Sequence, residues 1–349
     1  MRVGVFSRWN ATCGIATHAK LLVNGLLEEG TGVKVFAPKI ESASRWPEHR
    51  VVAEDEPYVI RCFTERAPDE VYGGEVEEQK LLSEPLDYLI VESWRSMPYE
   101  SLEQVLEKLK TRSVRLLLIP HEGFRIHIRF TNPRIFDRIL VFDDRYLKEL
   151  WLEYRDIVDI VPFPCAEPRK RIREFAENGL RFGTYGRQTM DEFIPFLQAL
   201  DQLAERYDFI YEVIRSDGLL NFSRSWFHQR SEKLSLDGIF DLLHSVDLHF
   251  IPKNPSLGVT VSSTFYHSVS ALCPTVAPAW RHFESIEEFD GVKPVVLFTT
   301  VSELVKQLIT LIENPDYRNR IVNAMKRFAE QHNYRRIANT VLDVMASLA

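Results

Sequence analysis

The sequence predicts an α/β protein made of two doubly wound, Rossmann-like parallel-sheet domains facing a central cleft. Three observations carry this. Short, continuously apolar runs alternate with longer amphipathic stretches along all 349 residues, the pattern of parallel strands covered by helices on both faces. The alternation restarts after "PFPCAEPRKRI", residues 162–172. The length exceeds what one core ordinarily organises, while 45% apolar residues suffice for two.

The first run, "RVGVFS" from Arg2, reads as a strand; a loop leads to the helix "IATHAKLLVNGLLEE" and the strand "VKVFAP". From Glu41 to Glu84 the chain is acidic and without a clear period, an insertion or a sheet edge. The strand "DYLIVE", the helix "SLEQVLEKLK", the strands "VRLLLIP" and "RILVFD", the helix "DRYLKELWLEY" and the strand "DIVDIVPFP" complete the first half. The second half opens on the strand "LRFGTY", the helix "MDEFIPFLQALDQLAERY" and the strand "DFIYEVI". "LDGIFDLLHS" then leads into "VDLHFIP", and "PTVAP" and "PVVLFTT" follow before three closing helical segments. With the junction near residues 163–173, the expected division is 1–165, 166–332 and a final 333–349 helix crossing back to the first domain.

Composition excludes several classes. Forty-three basic against 50 acidic residues give a formal net charge of −7 with no basic tail, which argues against general nucleic-acid binding. No apolar run approaches the roughly 18 residues of a membrane span, and "MRVGVFSRWN" lacks a signal-peptide pattern, so a cytoplasmic protein is expected. Cys13, Cys62, Cys165 and Cys273 are far apart without a C-x-x-C, as free thiols would be. No G-x-G-x-x-G fingerprint marks a dehydrogenase. No Asp-x-Asp pair ends a strand; Asp143-Asp144 reads as a helix start, and no metal is expected.

Four stretches carry chemistry. "PSLGVTVSSTF", from Pro255, holds Gly258 and five hydroxyl residues and no charge. A glycine turn followed by hydroxyls at a helix start suits an anion, whose oxygens accept from hydroxyl and backbone N–H groups; N-capping by Ser262 or Ser263 is equally expected. "TYGRQTMDEF" places Gly186-Arg187 right after a strand. "IPHEGFRIHIRF" places His121 and Glu122 at another strand end, and alternation would set Arg125, His127 and Arg129 on one face, as a cationic strip or as a solvated surface. Gly14 opens the first helix, where a plain strand-to-helix turn is the other reading. Arg281 and His282, after "TVAP", could also face the cleft. "NFSRSWFHQRSEK", from Asn221, reads as a loop over the second domain's edge rather than as a nucleic-acid surface.

"CGIATHAKLLVNGL", "YGRQTMDEFIPFLQAL", "LLHSVDLHFIP" with "LGVTVSSTF" and "SALCPTVAP", and "YRRIANTVLDVM" together resemble, over nearly the whole chain, glycosyltransferases of the GT-B fold, in particular the large retaining group that uses nucleotide-sugars. The resemblance implies a hexosyltransferase-type enzyme that moves a sugar from a nucleotide-sugar donor to an acceptor (small molecule, lipid or glycan), with retention, without metal and without a cofactor. It implies that His121 hydrogen-bonds the donor sugar and Arg187 pairs with the diphosphate. Gly14, Lys253, Gly258, Val259, Thr260, Ser262 and Ser263 would line the donor, and Glu122 and Arg125 the acceptor. The pattern departs from that group at four places. Cys13 stands where it keeps the first of two glycines, so that only Gly14 remains of the pair. Glu192 stands where it keeps a lysine, with Lys253 as a positional substitute, and Pro255 and Ser263 stand where it keeps two glutamates. Two alternatives follow: a GT-B nucleotide- or sugar-binding protein with lost or altered catalysis, or a sugar-nucleotide epimerase.

Overall fold

A computed structural model describes residues 1–43, 50–67, 70–169, 174–176 and 179–348, so the expected junction at 163–173 falls partly outside the described residues. The chain forms two compact units: Met1–Pro164 with Gly258–Val261 and Tyr334–Ala349, and Cys165–Leu257 with Ser262–Asn333.

The first unit holds β1 (Arg2–Phe6), β2 (Gly32–Pro38), β3 (Val59–Thr64), β4 (Glu75–Val76), β5 (Tyr88–Ser93), β6 (Arg115–Pro120), β7 (Arg138–Val141) and β8 (Val158–Ile160). They lie in the order β4-β3-β2-β1-β5-β6-β7-β8, all parallel except the antiparallel β3–β4 edge. Its helices are α1 (Gly14–Glu28), α2 (Ile40–Ala43), α3 (Glu78–Leu82), α4 (Tyr99–Thr111) and α5 (Asp144–Leu150). The acidic stretch after Glu41 thus becomes the sheet edge, where β3, β4 and α3 are short and broken by turns. The central strands are buried on both faces; every residue of β5 is interior, which is why its sequence runs apolar without alternation.

The second unit holds β9 (Leu180–Gly186), β10 (Phe209–Arg215), β11 (Phe227–Ser231), β12 (Leu248–Phe250), β13 (Thr275–Pro278) and β14 (Val296–Phe298) in the all-parallel order β11-β10-β9-β12-β13-β14. Its helices are α6 (Met190–Leu203), α7 (Leu236–Ser245), α8 (Ser263–Ser270), α9 (Val301–Glu313) and α10 (Pro315–Gln331). The aromatic and basic stretch after Asn221 supplies the edge strand β11. All four cysteines are free.

The last helix, α11 (Tyr334–Ala346), belongs to the first unit and packs along α1. The Tyr334 hydroxyl donates to Glu28 (2.6 Å), Asn339 to Glu29 (3.0 Å), and the Tyr88 hydroxyl to the Met345 carbonyl (2.9 Å). Gly25 makes the approach possible: a Cβ there would lie 2.5 Å from Ala338 Cβ and 2.9 Å from the Tyr334 carbonyl oxygen. Gly25→Ala gains about 1 kcal/mol of helix propensity, but overpacking against a backbone oxygen costs about 1–3 kcal/mol. A net loss, read as a lowered urea midpoint with an unchanged slope, is the expected result.

Candidate active site

In each sheet the strand order reverses at one place, and in open α/β sheets ligands collect at the carboxyl ends of the strands flanking such a reversal. In the first unit it falls between β1 and β5, in the second between β9 and β12. The predicted site residues divide between the two units. Gly14, His121, Glu122, Arg125, Gly258, Val259 and Thr260 belong to the first unit, and Arg187, Lys253, Ser262 and Ser263 to the second.

In the second unit, β9 ends on Gly186, whose φ of +132° is open chiefly to glycine, and Arg187 follows, exposed. Among the described residues Arg187 has no ion-pair partner. Lys253 follows the adjacent strand β12 and is half-buried. Burial depresses its ammonium pKa, Glu192 opposes that, and Arg187 lowers it further, so the two cations feel each other. Glu192 has a local task that accounts for it: Thr189 and Glu192 form a capping box at the start of α6. The Glu192 carboxylate accepts from the backbone N–H groups of Thr189 (2.7 Å) and Asn254 (3.1 Å). Lys253, Asn254, Glu192, Phe196, Trp280 and Thr300 contribute to a pocket of about 140 Å³.

The uncharged stretch ends at α8. Ser262 occupies the N-cap position but its side chain caps nothing; its buried Oγ has no hydrogen-bond partner among the described residues. Ser263 begins the helix, and the capping expected of one of these hydroxyls is done by neither. Gly258, Val259 and Thr260 are held within the first unit: Val259 N–H donates to the Gly123 carbonyl (3.0 Å) and Arg145 to the Thr260 carbonyl (3.2 Å). Gly123, which the sequence did not single out, is required there, since a Cβ on it would lie 2.3 Å from the Val259 carbonyl oxygen. Arg281, for its part, donates to the Leu257 carbonyl (2.7 Å).

In the first unit the strand ends converge on a carboxylate that sequence reading passed over. Glu92, the last but one residue of β5, is fully buried. His18 Nδ1 lies 2.8 Å from its Oε1, while His121 Nε2 (3.1 Å) and the Ser7 hydroxyl (3.2 Å) reach its Oε2. Burial alone would raise the Glu92 carboxyl, but the charge of His18 and the hydrogen bonds from both imidazoles outweigh it and hold it at about 2. For His121, burial lowers the pKa against the pull of Glu92, with His18 and Arg8 adding to the fall, so its ring is neutral at pH 7. Phe142 and Phe163 wall the group off. These three residues are the one His/Cys/Asp/Glu trio among the described residues with ligating atoms within 4.8 Å of one another. Both carboxylate oxygens are already occupied by ring nitrogens at hydrogen-bond distance, which closes the trio on itself.

Arg8 is buried in an ion pair with Glu65 (2.6 Å), which also accepts from Trp94 Nε1 (2.7 Å). Glu122 is buried and spends both oxygens internally, on the Ser93 hydroxyl (2.6 Å) and the Tyr99 hydroxyl; burial raises its pKa. The alternating strip at Arg125, His127 and Arg129 does not form. Residues Arg125–His127 make one 3₁₀ turn with no strand partner to impose a period of two, and Ile126 is 77% exposed while Ile128 and Phe130 are buried. Arg125 lies over the Trp151 ring (5.3 Å) and 3.7 Å from Glu153. Gly14 is the first residue of α1, whose N-cap is Cys13. Asp143 caps α5 through the Arg145 N–H (2.9 Å), as the Asp143-Asp144 pair suggested. Among the described residues no helix is long and apolar enough to cross a membrane.

No known protein-family profile matches the chain. Solved structures do. The HepE protein of Anabaena in complex with UDP-glucose is 12% identical with a TM-score of 0.67, over 99% of this chain and 100% of that one. An α-glucosyltransferase in complex with UDP and a 13-mer DNA is 12% identical with a TM-score of 0.70, over 99% and 100%. Sucrose-phosphate synthase from Thermosynechococcus elongatus is 12% identical with a TM-score of 0.66, over 100% and 99%. Two reversed-order parallel sheets, a last helix returned to the first unit and likeness over the full length lead to one assignment: the chain has the GT-B fold of glycosyltransferases.

Proposed function

We propose that the protein is a glycosyltransferase that moves a sugar, with retention and without a metal, from a nucleotide-sugar to an acceptor. The first unit serves the acceptor side and the second unit the nucleotide. The observation that carries this is the pair of cations, Arg187 and Lys253, following neighbouring strands at the reversal of the second sheet. Cleavage of the sugar–phosphate bond builds negative charge on the departing diphosphate. Fixed cations, backbone N–H groups at the start of α8 and the unpartnered Ser262 hydroxyl stabilise that charge more in the transition state than in the ground state. UDP-glucose is the first donor to try, because HepE has been solved with it.

The test is a melt and titration series with UDP, other nucleoside diphosphates and their glucose conjugates, followed by long incubation and detection of released diphosphate. Arg187→Ala is expected to weaken nucleoside-diphosphate binding 10- to 100-fold, the scale of one charge-assisted pair. An unchanged dissociation constant in a folded variant sinks the assignment of Arg187.

A second reading has one observation in its favour. Pro255 and Ser263 stand where the resembling group keeps two glutamates, and Glu192 is committed to capping α6. A protein that binds the nucleotide-sugar without turning it over would give melt shifts with no diphosphate release under any acceptor.

A further inference from the structure

We propose that Glu92 is a positioning residue that locks His121 in the Nε2–H tautomer and so presents its Nδ1 as a hydrogen-bond acceptor for a ligand hydroxyl. The identity of that ligand, a sugar hydroxyl, rests on the transferase reading; the tautomer rests on geometry alone. A carboxylate only accepts, so an imidazole nitrogen bonded to it carries the proton. Glu92 Oε2 takes His121 Nε2 at 3.1 Å, and Oε1 takes His18 Nδ1 at 2.8 Å. A neutral ring with its proton on Nε2 leaves a lone pair on Nδ1.

Of the three side chains only His121 is open. Its side chain keeps 9% of its surface exposed, against 2% for His18 and none for Glu92. Among the described residues no hydrogen bond reaches its Nδ1. His18, at the base of α1, takes the other carboxylate oxygen, and with the Ser7 hydroxyl it prevents Glu92 from rotating away. The charged or titratable groups facing His121 are Glu92 from β5, His18 from α1 and Arg8 from the turn after β1; Phe142 closes the remaining side. A ring held neutral and oriented this way accepts from a hydroxyl and repels a carboxylate or phosphate oxygen at the same spot.

Nitrogen-15 NMR of histidine-labelled protein at pH 7.5 reads the tautomer directly, with His121→Asn to assign the signal. The expected spectrum has His121 protonated on Nε2 and not on Nδ1. In Glu92→Gln one oxygen is replaced by an NH₂ donor, so two ring N–H groups can no longer both be accepted. One ring must then change tautomer or lose its bond, and a mixed His121 signal is expected. Turnover of UDP-glucose should fall about 10²-fold, as for loss of one oriented hydrogen bond at the reacting group, with the dissociation constant for UDP changed less than about twofold. His121 found protonated on Nδ1, or doubly protonated, in the wild type overturns the proposal. So does one metal ion per chain with both rings metal-shifted. If the wild type turns over no nucleotide-sugar at all, the transferase reading fails, while the spectrum still decides the tautomer.

Discussion

Lowering the pH from 6.5 to 5 is expected to destabilise the second unit by about 3 kcal/mol. His249 and His267 lie in its interior, beside β9. His249 Nδ1 pairs with the Ser268 hydroxyl (2.6 Å) and His267 Nδ1 with the Tyr185 hydroxyl (2.8 Å), while both Nε2 atoms are buried without a partner among the described residues. Burial drives His249 down to about 3, helped by His267, and His267 down to about 4, from an ordinary value of 6.5. These are depressed pKa values of basic groups. The unfolded chain takes up protons below pH 6.5 while the native one does not, so stability present above 6.5 is lost as the pH falls. Well below pH 6.5 each imidazole contributes up to about 1.4 kcal/mol per pH unit, about 2.7 for the two. Because each unfolded-state ring is only half protonated at pH 6.5, the loss by pH 5 comes to about 3 kcal/mol, a large share of the 5–15 kcal/mol typical of a domain. Glu92 does not confuse the measurement, because its carboxyl, held at about 2, gives up stability only below about 4.5. His121, lowered in the first unit, acts in the same direction as the pair. Urea midpoints at pH 6.5, 6, 5.5 and 5 give the slope, and His249→Gln should roughly halve the second unit's share of it. A variant as acid-sensitive as the wild type would show that these rings are not the cause.

Gly123→Ala is expected to cost about 3 kcal/mol and to weaken nucleoside-diphosphate binding at least tenfold. The added Cβ would lie 2.3 Å from the Val259 carbonyl oxygen, 3.3 Å from its carbon and 3.4 Å from its nitrogen, all backbone atoms that no rotamer change can move. The facing glycine is equally tight, since a Cβ on Gly258 would lie 2.6 Å from the Gly123 carbonyl oxygen and 2.6 Å from the Phe124 ring. Relief therefore requires the Gly258–Val261 segment to lift, which also breaks the Val259-to-Gly123 hydrogen bond (3.0 Å). Overpacking usually costs about 1–3 kcal/mol, and a backbone-to-backbone clash belongs at the upper end. Ser262 and α8 follow directly in sequence, so the hydroxyl and N–H groups proposed to hold the diphosphate would lose their fixed position. Gly32→Ala is the control: its Cβ would find nothing closer than 3.6 Å, and a change within about 0.5 kcal/mol is expected. Equal losses in the two variants would refute the steric account.

The fold was legible because buried parallel strands are written as unbroken apolar runs, as in "YLIV" of β5, and helices as amphipathic ones. The positions of Arg187 and Lys253 were legible for the same reason: each follows such a run. What stayed hidden was assembled by topology. His18 is 74 residues from Glu92, and Glu92 is 29 from His121; only the adjacency of β1, β5 and β6 brings them together. One signal was available, since Glu92 is a charge at the end of an otherwise apolar strand, and such a group needs partners. Arg125 failed for the converse reason. Period-two alternation places side chains only where a neighbouring strand holds the backbone extended, and none does so there. Gly123 carries no sequence mark at all, because its need is for space and not for an unusual φ.

The chain passes between its units at Pro164, Leu257, Val261 and Asn333, so the second unit is in effect inserted into the first. During synthesis the whole of the second unit leaves the ribosome before Tyr334 does. At about 5–20 residues per second, the first sheet waits on the order of 10–30 s for the helix that covers α1. The later-encoded half can therefore close first, and the earlier-encoded half keeps a bare apolar groove along Gly25 until Tyr334–Ala346 has emerged from the ribosome. Chaperone occupancy should fall between nascent chains in which Tyr334–Ala346 is still inside the ribosome and chains in which it has emerged.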